Sequence, residues 1–97
     1  MAKPIYKVWF MNYKDPWYKL TTEEQNKLQK HVEESEKQVG GEYVMVCMSA
    51  TEEWLAWGVV KYPDFESAQK HAENLFRMNW FDYVESKTYL GTEMPQA

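Results

Sequence analysis

Tyr43-Val44-Met45-Val46-Cys47-Met48 and, a few residues on, Trp54-Leu55-Ala56-Trp57-Gly58-Val59-Val60-Lys61-Tyr62 decide the fold of this chain. Both runs are dense in β-branched and aromatic residues, and both are apolar at either parity, as in strands with two covered faces. The strands are expected over Glu42 to Ala50 and Trp54 to Tyr62. No helical pattern separates them, and Thr51-Glu52-Glu53 is short enough for a β-hairpin. Two strands therefore stand back to back in mid-chain, and the architecture depends on what flanks them.

Upstream lies a helix. Thr21 is its N-cap, Glu24 completes a capping box, and Gly40-Gly41 stops it after Val39. Its apolar stripe is sparse, made of Leu28, Val32 and Val39 with Ser35 in the middle. Glu23–Lys27 and Glu33–Lys37 stand at i, i+4 on its wet face. Before it, Ile5 to Asn12 reads as a strand. Tyr13 to Tyr18 then reads as an aromatic loop broken at Asp15-Pro16. Downstream, Asp64 caps a second helix whose apolar positions are Phe65, Ala68, Ala72, Leu75 and Phe76, with Glu66–Lys70 and Glu73–Arg77 on the wet side. The helix is expected to end near Asn79 or Trp80. A polar strand over Glu85 to Thr92 closes the chain as an edge. The order is β-α-β-β-α-β: an α+β, ferredoxin-like unit with a four-stranded antiparallel sheet and two helices on one face.

With 97 residues there is room for a single domain, 1–97, with a thin core. The lone Cys47 excludes an internal disulfide framework and multi-cysteine metal sites, and mid-strand it reads as an inert buried thiol. No cofactor and no metal site is expected. A net charge of −4 argues against non-specific nucleic-acid binding. No apolar run reaches membrane-span length, and Met1-Ala2-Lys3-Pro4-Ile5 leads into no signal-peptide core, so a cytoplasmic protein is expected.

Two helices cover one sheet face, and the other face would then be polar in a monomer. The sequence leaves it apolar. Tyr6, Val8 and Phe10 take one parity in the first strand, while Ile5, Trp9 and Met11 take the other. In the third strand Trp54, Ala56, Gly58 and Val60 take one parity, while Leu55, Trp57 and Val59 take the other. Lys7 and Lys61 mark the second parity as the side away from the helices, which places Trp9, Met11, Leu55, Trp57 and Val59 on an exposed face. Four strands present about 300–400 Å² in projection. Leaving that area wet would cost on the order of 8–10 kcal/mol. A second copy across a two-fold axis is the expected cover.

A chain of this length and element order with both sheet faces apolar resembles the dimeric α+β barrel superfamily. Trp17-Tyr18-Lys19-Leu20-Thr21-Thr22-Glu23-Glu24 is similar to a Trp-x-x-Leu-Ser/Thr-x-Glu-Glu run in its small darcynin-like members. The resemblance implies a sheet-to-sheet homodimer with a small-molecule pocket between sheet and helices in each subunit. Superfamily members include cofactor-free monooxygenases, muconolactone-type isomerases and haem-dependent chlorite-decomposing enzymes. The RNA-recognition motif shares the element order. Leu55 to Tyr62 resembles its octamer and Val8 to Tyr13 its hexamer, and bases would stack on Trp9 and Trp57. Leu55 and Ala56 stand where that octamer has a basic residue and a glycine, and acids outnumber bases fifteen to eleven, so nucleic acid is the disfavoured partner.

The expected pocket is shaped by Tyr6, Trp54, Gly58 and Phe76, with Ser35 opposite. Small residues at Ala56 and Gly58 fit either a cavity or close helix–sheet contact. His31, about 60° around the helix from Leu28, is either a general base at the rim or a boundary histidine half in solvent. Asn79, in line with Phe76, either caps its helix or points into the pocket. His31 and Asn79 are the candidate catalytic pair of a monooxygenase or isomerase. His71, about 100° from Ala72, reads as a surface residue. Trp17 and Tyr18 either pack or form a lid over the pocket. The expected function is the binding of a small aromatic or apolar molecule.

Overall fold

The extended, β-branched runs form β1 (Ile5–Tyr13), β2 (Glu42–Met48), β3 (Ala56–Tyr62) and β4 (Val84–Gly91). The computed structural model describes residues 3–95. Met1 and Ala2, which open the segment read as having no signal-peptide core, lie outside the described residues. The sheet order is β2-β3-β1-β4 with every neighbouring pair antiparallel, which leaves β2 and β4 at the edges. Two long helices, α2 (Thr22–Gln38) and α3 (Phe65–Arg77), connect β1 to β2 and β3 to β4. The result is an α+β domain whose topology matches the ferredoxin-like arrangement. No helix among the described residues is long and apolar enough to cross a membrane.

The helix ends follow their local chemistry. Thr21 Oγ1 accepts from the Glu24 amide at 3.1 Å while Glu24 Oε1 accepts from the Thr21 amide at 3.0 Å, a closed capping box. Gly40, at φ +80°, lets its amide reach the Lys37 carbonyl and the Gly41 amide reach the Glu36 carbonyl, ending α2 in a Schellman turn. Asp64 caps α3 by accepting from both the amide and the hydroxyl of Ser67.

Several expectations change. Asp15–Tyr18 is one turn of helix (α1) rather than loop, because proline in a first turn forfeits no intrahelical bond. The β2–β3 connection runs from Ser49 to Leu55, longer than a three-residue turn. The Leu55 amide is drawn instead to β1, where the Met11 carbonyl and Asn12 Oδ1 both accept from it. α3 stops at Arg77, and a 3-10 turn over Trp80–Asp82 precedes β4. Of the helix ion pairs expected at i, i+4 none closes among the described residues; the exposed pair is Lys70–Glu73, at 3.9 Å. Cys47, opposite Trp57 on an edge strand, is half-buried rather than buried.

The main correction concerns the face that β1 presents. Residues directly opposite in an antiparallel pair share a face. Trp9 lies opposite Gly58 and Met11 opposite Ala56, so both belong to the helix side with the small residues of β3. Met11 is buried, and Trp9 packs against the core of Val60, Tyr62 and Ala68. Lys7 misled the assignment. Its side chain lies along the Tyr62 ring, Nζ 5.4 Å from the ring centroid, which lets a lysine sit on the covered face. Trp9 and Met11 are therefore not on the open face. Leu55, Trp57 and Val59 are, joined by Val8, Phe10 and Tyr89. The two tryptophans that base stacking would need on one surface stand on opposite faces.

Candidate functional site

The inner face of α2 is poor in large apolar groups: Leu28, Val32 and Val39 are only partly buried, and its two buried residues are Ser35 and Glu36. With little to bury against the sheet, α2 approaches α3 more closely than it approaches any strand. The space left beneath it is a cavity of about 560 Å³. That size suits a small organic ligand. Trp9, Met11 and Ala56 form its floor, Leu75 and Val32 its roof, and Trp80 and Phe81 its far end. Trp17 buttresses that end: it stacks on Tyr13 at 4.4 Å and meets Trp80 edge-on. Gln25 and Gln29 donate to the Trp17 carbonyl and the Tyr13 hydroxyl, tying α1 to α2.

The other end is polar. His71 Nε2 donates to Glu36 Oε2 at 2.5 Å, and both side chains are about 2% exposed. Nδ1 of the same ring lies 2.8 Å from Ser35 Oγ, which also accepts from Asn74 Nδ2 at 3.0 Å. Glu36 Oε1 packs against Gly41, where a Cβ would come within 2.6 Å, and among the described residues neither it nor the Tyr62 hydroxyl has a hydrogen-bond partner. Burial opposes ionisation of Glu36. The hydrogen bond and charge of His71, helped by Tyr62 and Lys7, outweigh it and hold the carboxyl below its usual value. The Tyr62 hydroxyl is pushed far up, first by burial and then by Glu36. Tyr43, on the cavity wall, is raised to about 12 by burial and by the charges of Glu36 and Glu33. Lys7, also on the wall, is lowered by burial against the opposing pull of Glu36.

The residues expected to form the site divide. Ser35 is in the buried network, and Ala56 opens space as its size suggested. Gly58 is on the helix side, but the Trp9 ring fills the volume it leaves. Tyr6 lies on the open face, its hydroxyl 2.7 Å from Glu93. Trp54 packs on Phe10. Phe76 is 68% exposed and leans on Phe81 from outside. His31 is exposed on an outer cleft between α2 and α3, shared with Asn74 and Arg77. Asn79 is exposed at φ 58°, a left-handed helix end suited to asparagine. Neither His31 nor Asn79 lines the cavity.

His71 was read as a surface residue and is among the most buried in the molecule. The signal was present. Position 71 follows Ala68 by three and precedes Leu75 by four, and position 36 follows Val32 by four, so each titratable residue stands inside its helix's apolar stripe. Phe65, Ala72 and Phe76 are correspondingly exposed.

Against known proteins, no family model matches the chain and no curated protein matches it in sequence. Among solved structures, a protein of unknown function from Rhodopseudomonas palustris superposes with a TM-score of 0.66 at 13% identity, over 99% of this chain and 86% of that one. The de novo designed protein Foldit4 superposes with a TM-score of 0.56 at 14% identity, over 94% of this chain and 98% of that one. Both likenesses are of fold.

Proposed function

We propose that this protein binds a small, largely apolar aromatic molecule in the cavity between sheet and helices, as a cytoplasmic homodimer of the dimeric α+β barrel type with darcynin-like character. The observation that carries the reading is the cavity itself, walled by Trp9, Met11, Leu75, Trp80 and Phe81, with Lys7, Glu36, Tyr43 and His71 among its lining. An apolar chamber with a few convergent polar groups is how small-molecule sites are built. The dimer rests on the open face, where Leu55, Met45 and Tyr89 are each close to half exposed beside Val8, Phe10, Trp57 and Val59.

Binding rather than turnover fits the geometry better. A cofactor-free monooxygenase or isomerase needs a base that reaches its substrate. Both ring nitrogens of His71 are engaged, by Glu36 and Ser35, and His31 and Asn79 face elsewhere. Calorimetric titration with small aromatic probes, indole and naphthalene-methanol among them, tests the proposal. Saturable binding that disappears in the cavity-filling variant Ala56→Phe is the expected result. Probes that fail to bind at millimolar concentration, or that bind Ala56→Phe equally well, would overturn it.

A further inference from the structure

Lys7 is the lysine on the cavity's strand floor, and Glu36, lining the same cavity, is the carboxylate whose charge favours its protonated form. Among the described residues Lys7 closes no salt bridge, and Oε2 of Glu36 accepts from His71. Its side chain is partly buried and lines the cavity. A partly desolvated ammonium facing apolar walls is held at a cost that a matching anion would relieve.

A second donor stands beside it. Lys7 and Tyr43 both lie opposite Val60, one from β1 and one from β2, so they flank it in one row on the helix side. Two strand spacings separate their backbones, about 10 Å, a gap that two long side chains leaning inward can span. With its pKa raised to about 12, the Tyr43 hydroxyl keeps its proton at neutral pH and can donate it in a hydrogen bond. From this row the floor continues along β1 through Trp9 to Met11, a ring-sized apolar surface next to the polar end.

We infer that the ligand is an aromatic carboxylate, its ring lying on Trp9 and Met11 and its carboxylate held by the Lys7 ammonium and the Tyr43 hydroxyl. This rests on the cavity being the ligand site and adds the chemical class it selects. The other charged or titratable groups turned toward Lys7 are Glu36 from α2, His71 from α3 and Tyr62 from β3. Glu36 Oε2 accepts from His71, and the Tyr62 hydroxyl has no hydrogen-bond partner among the described residues. Glu33 also borders the cavity, from the exposed side of α2, and its charge is felt at Tyr43.

The test compares 1-naphthoate, 1-naphthalenemethanol and 1-naphthylmethylammonium on the unmodified protein by calorimetry and tryptophan fluorescence. Naphthoate is expected to bind at least about tenfold more tightly than the alcohol, the scale of one charge-assisted hydrogen bond. The ammonium probe is expected to be weakest. In Lys7→Met the preference for naphthoate over the alcohol should shrink to within about twofold, while Lys7→Arg should retain it. Equal binding of naphthoate and alcohol, or a preference for the ammonium probe, overturns the inference and leaves the cavity reading standing. If no probe binds, both fall. The comparison on the unmodified protein decides the matter even if Lys7→Met does not fold.

Discussion

A methyl group on Gly58 would stand 2.6 Å from Cζ2 of Trp9 and 2.9 Å from the Met45 carbonyl oxygen. The second neighbour is backbone and cannot swing away, so Gly58→Ala should destabilise the fold by about 1–3 kcal/mol in urea unfolding. A neutral result would show that Trp9 does not lie across β3. Glu36 and His71 form the other decisive contact. Removing one partner strands the other in a dry interior, and Glu36→Ala should cost about 3–5 kcal/mol. Replacing both with leucine should cost far less, because no buried charge is then left alone. The pair also sets an acid limit. The folded Glu36 carboxyl releases its proton more readily than the unfolded one, whose value is 4.5. Its contribution is therefore complete above that pH and is lost as pH falls through the lower folded value. Lys7, Tyr43, Tyr62 and His71 are the titratable groups around it. Unfolding followed from about pH 6 to pH 3 should show a loss of stability that is smaller in Glu36→Gln.

Among the elements, both ends of α2 and the start of α3 were the most legible part of the chain. A cap is chemistry between neighbours, and Thr21, Glu24, Asp64 and Gly40 act within a few residues of where they stand. Thr21→Ala should lower stability by about 0.5–2 kcal/mol, read as a shift of the urea midpoint with unchanged slope. An unchanged midpoint would mean the capping box contributes nothing to the folded state. α1 escapes the sequence because Asp-Pro reads as a breaker, whereas Pro16 occupies a first helical turn whose amides have no intrahelical partner in any case. The face of α3 was misread because histidine was counted as polar and the phenylalanines as buried. The stripe follows Ala68, His71 and Leu75, since the imidazole finds its hydrogen bonds inside.

At the scale of the whole molecule, the open sheet face is the surface that the proposed dimer would cover. Sedimentation of the protein at micromolar concentration is expected to give the mass of two chains, and Trp57→Lys is expected to shift it to one. A folded monomer in the unmodified protein would remove the dimer from the proposal and leave the cavity, which lies on the other side of the sheet. The order of the four strands and two long helices, the caps at Thr21, Gly40 and Asp64, the thinness of the α2 stripe and the excess of apolar strand residues were all determined by the sequence alone, because each depends on residues close together in the chain. Which parity of β1 meets the helices was not. Alternation sorts a strand's side chains into two sets without saying which way either points, and only pairing with β3, about fifty residues away in the chain, turned Trp9 and Met11 inward. The same holds for the polar end of the cavity. Glu36, His71, Lys7 and Tyr43 come from four elements, and what each can do depends on the neighbours that burial gives it.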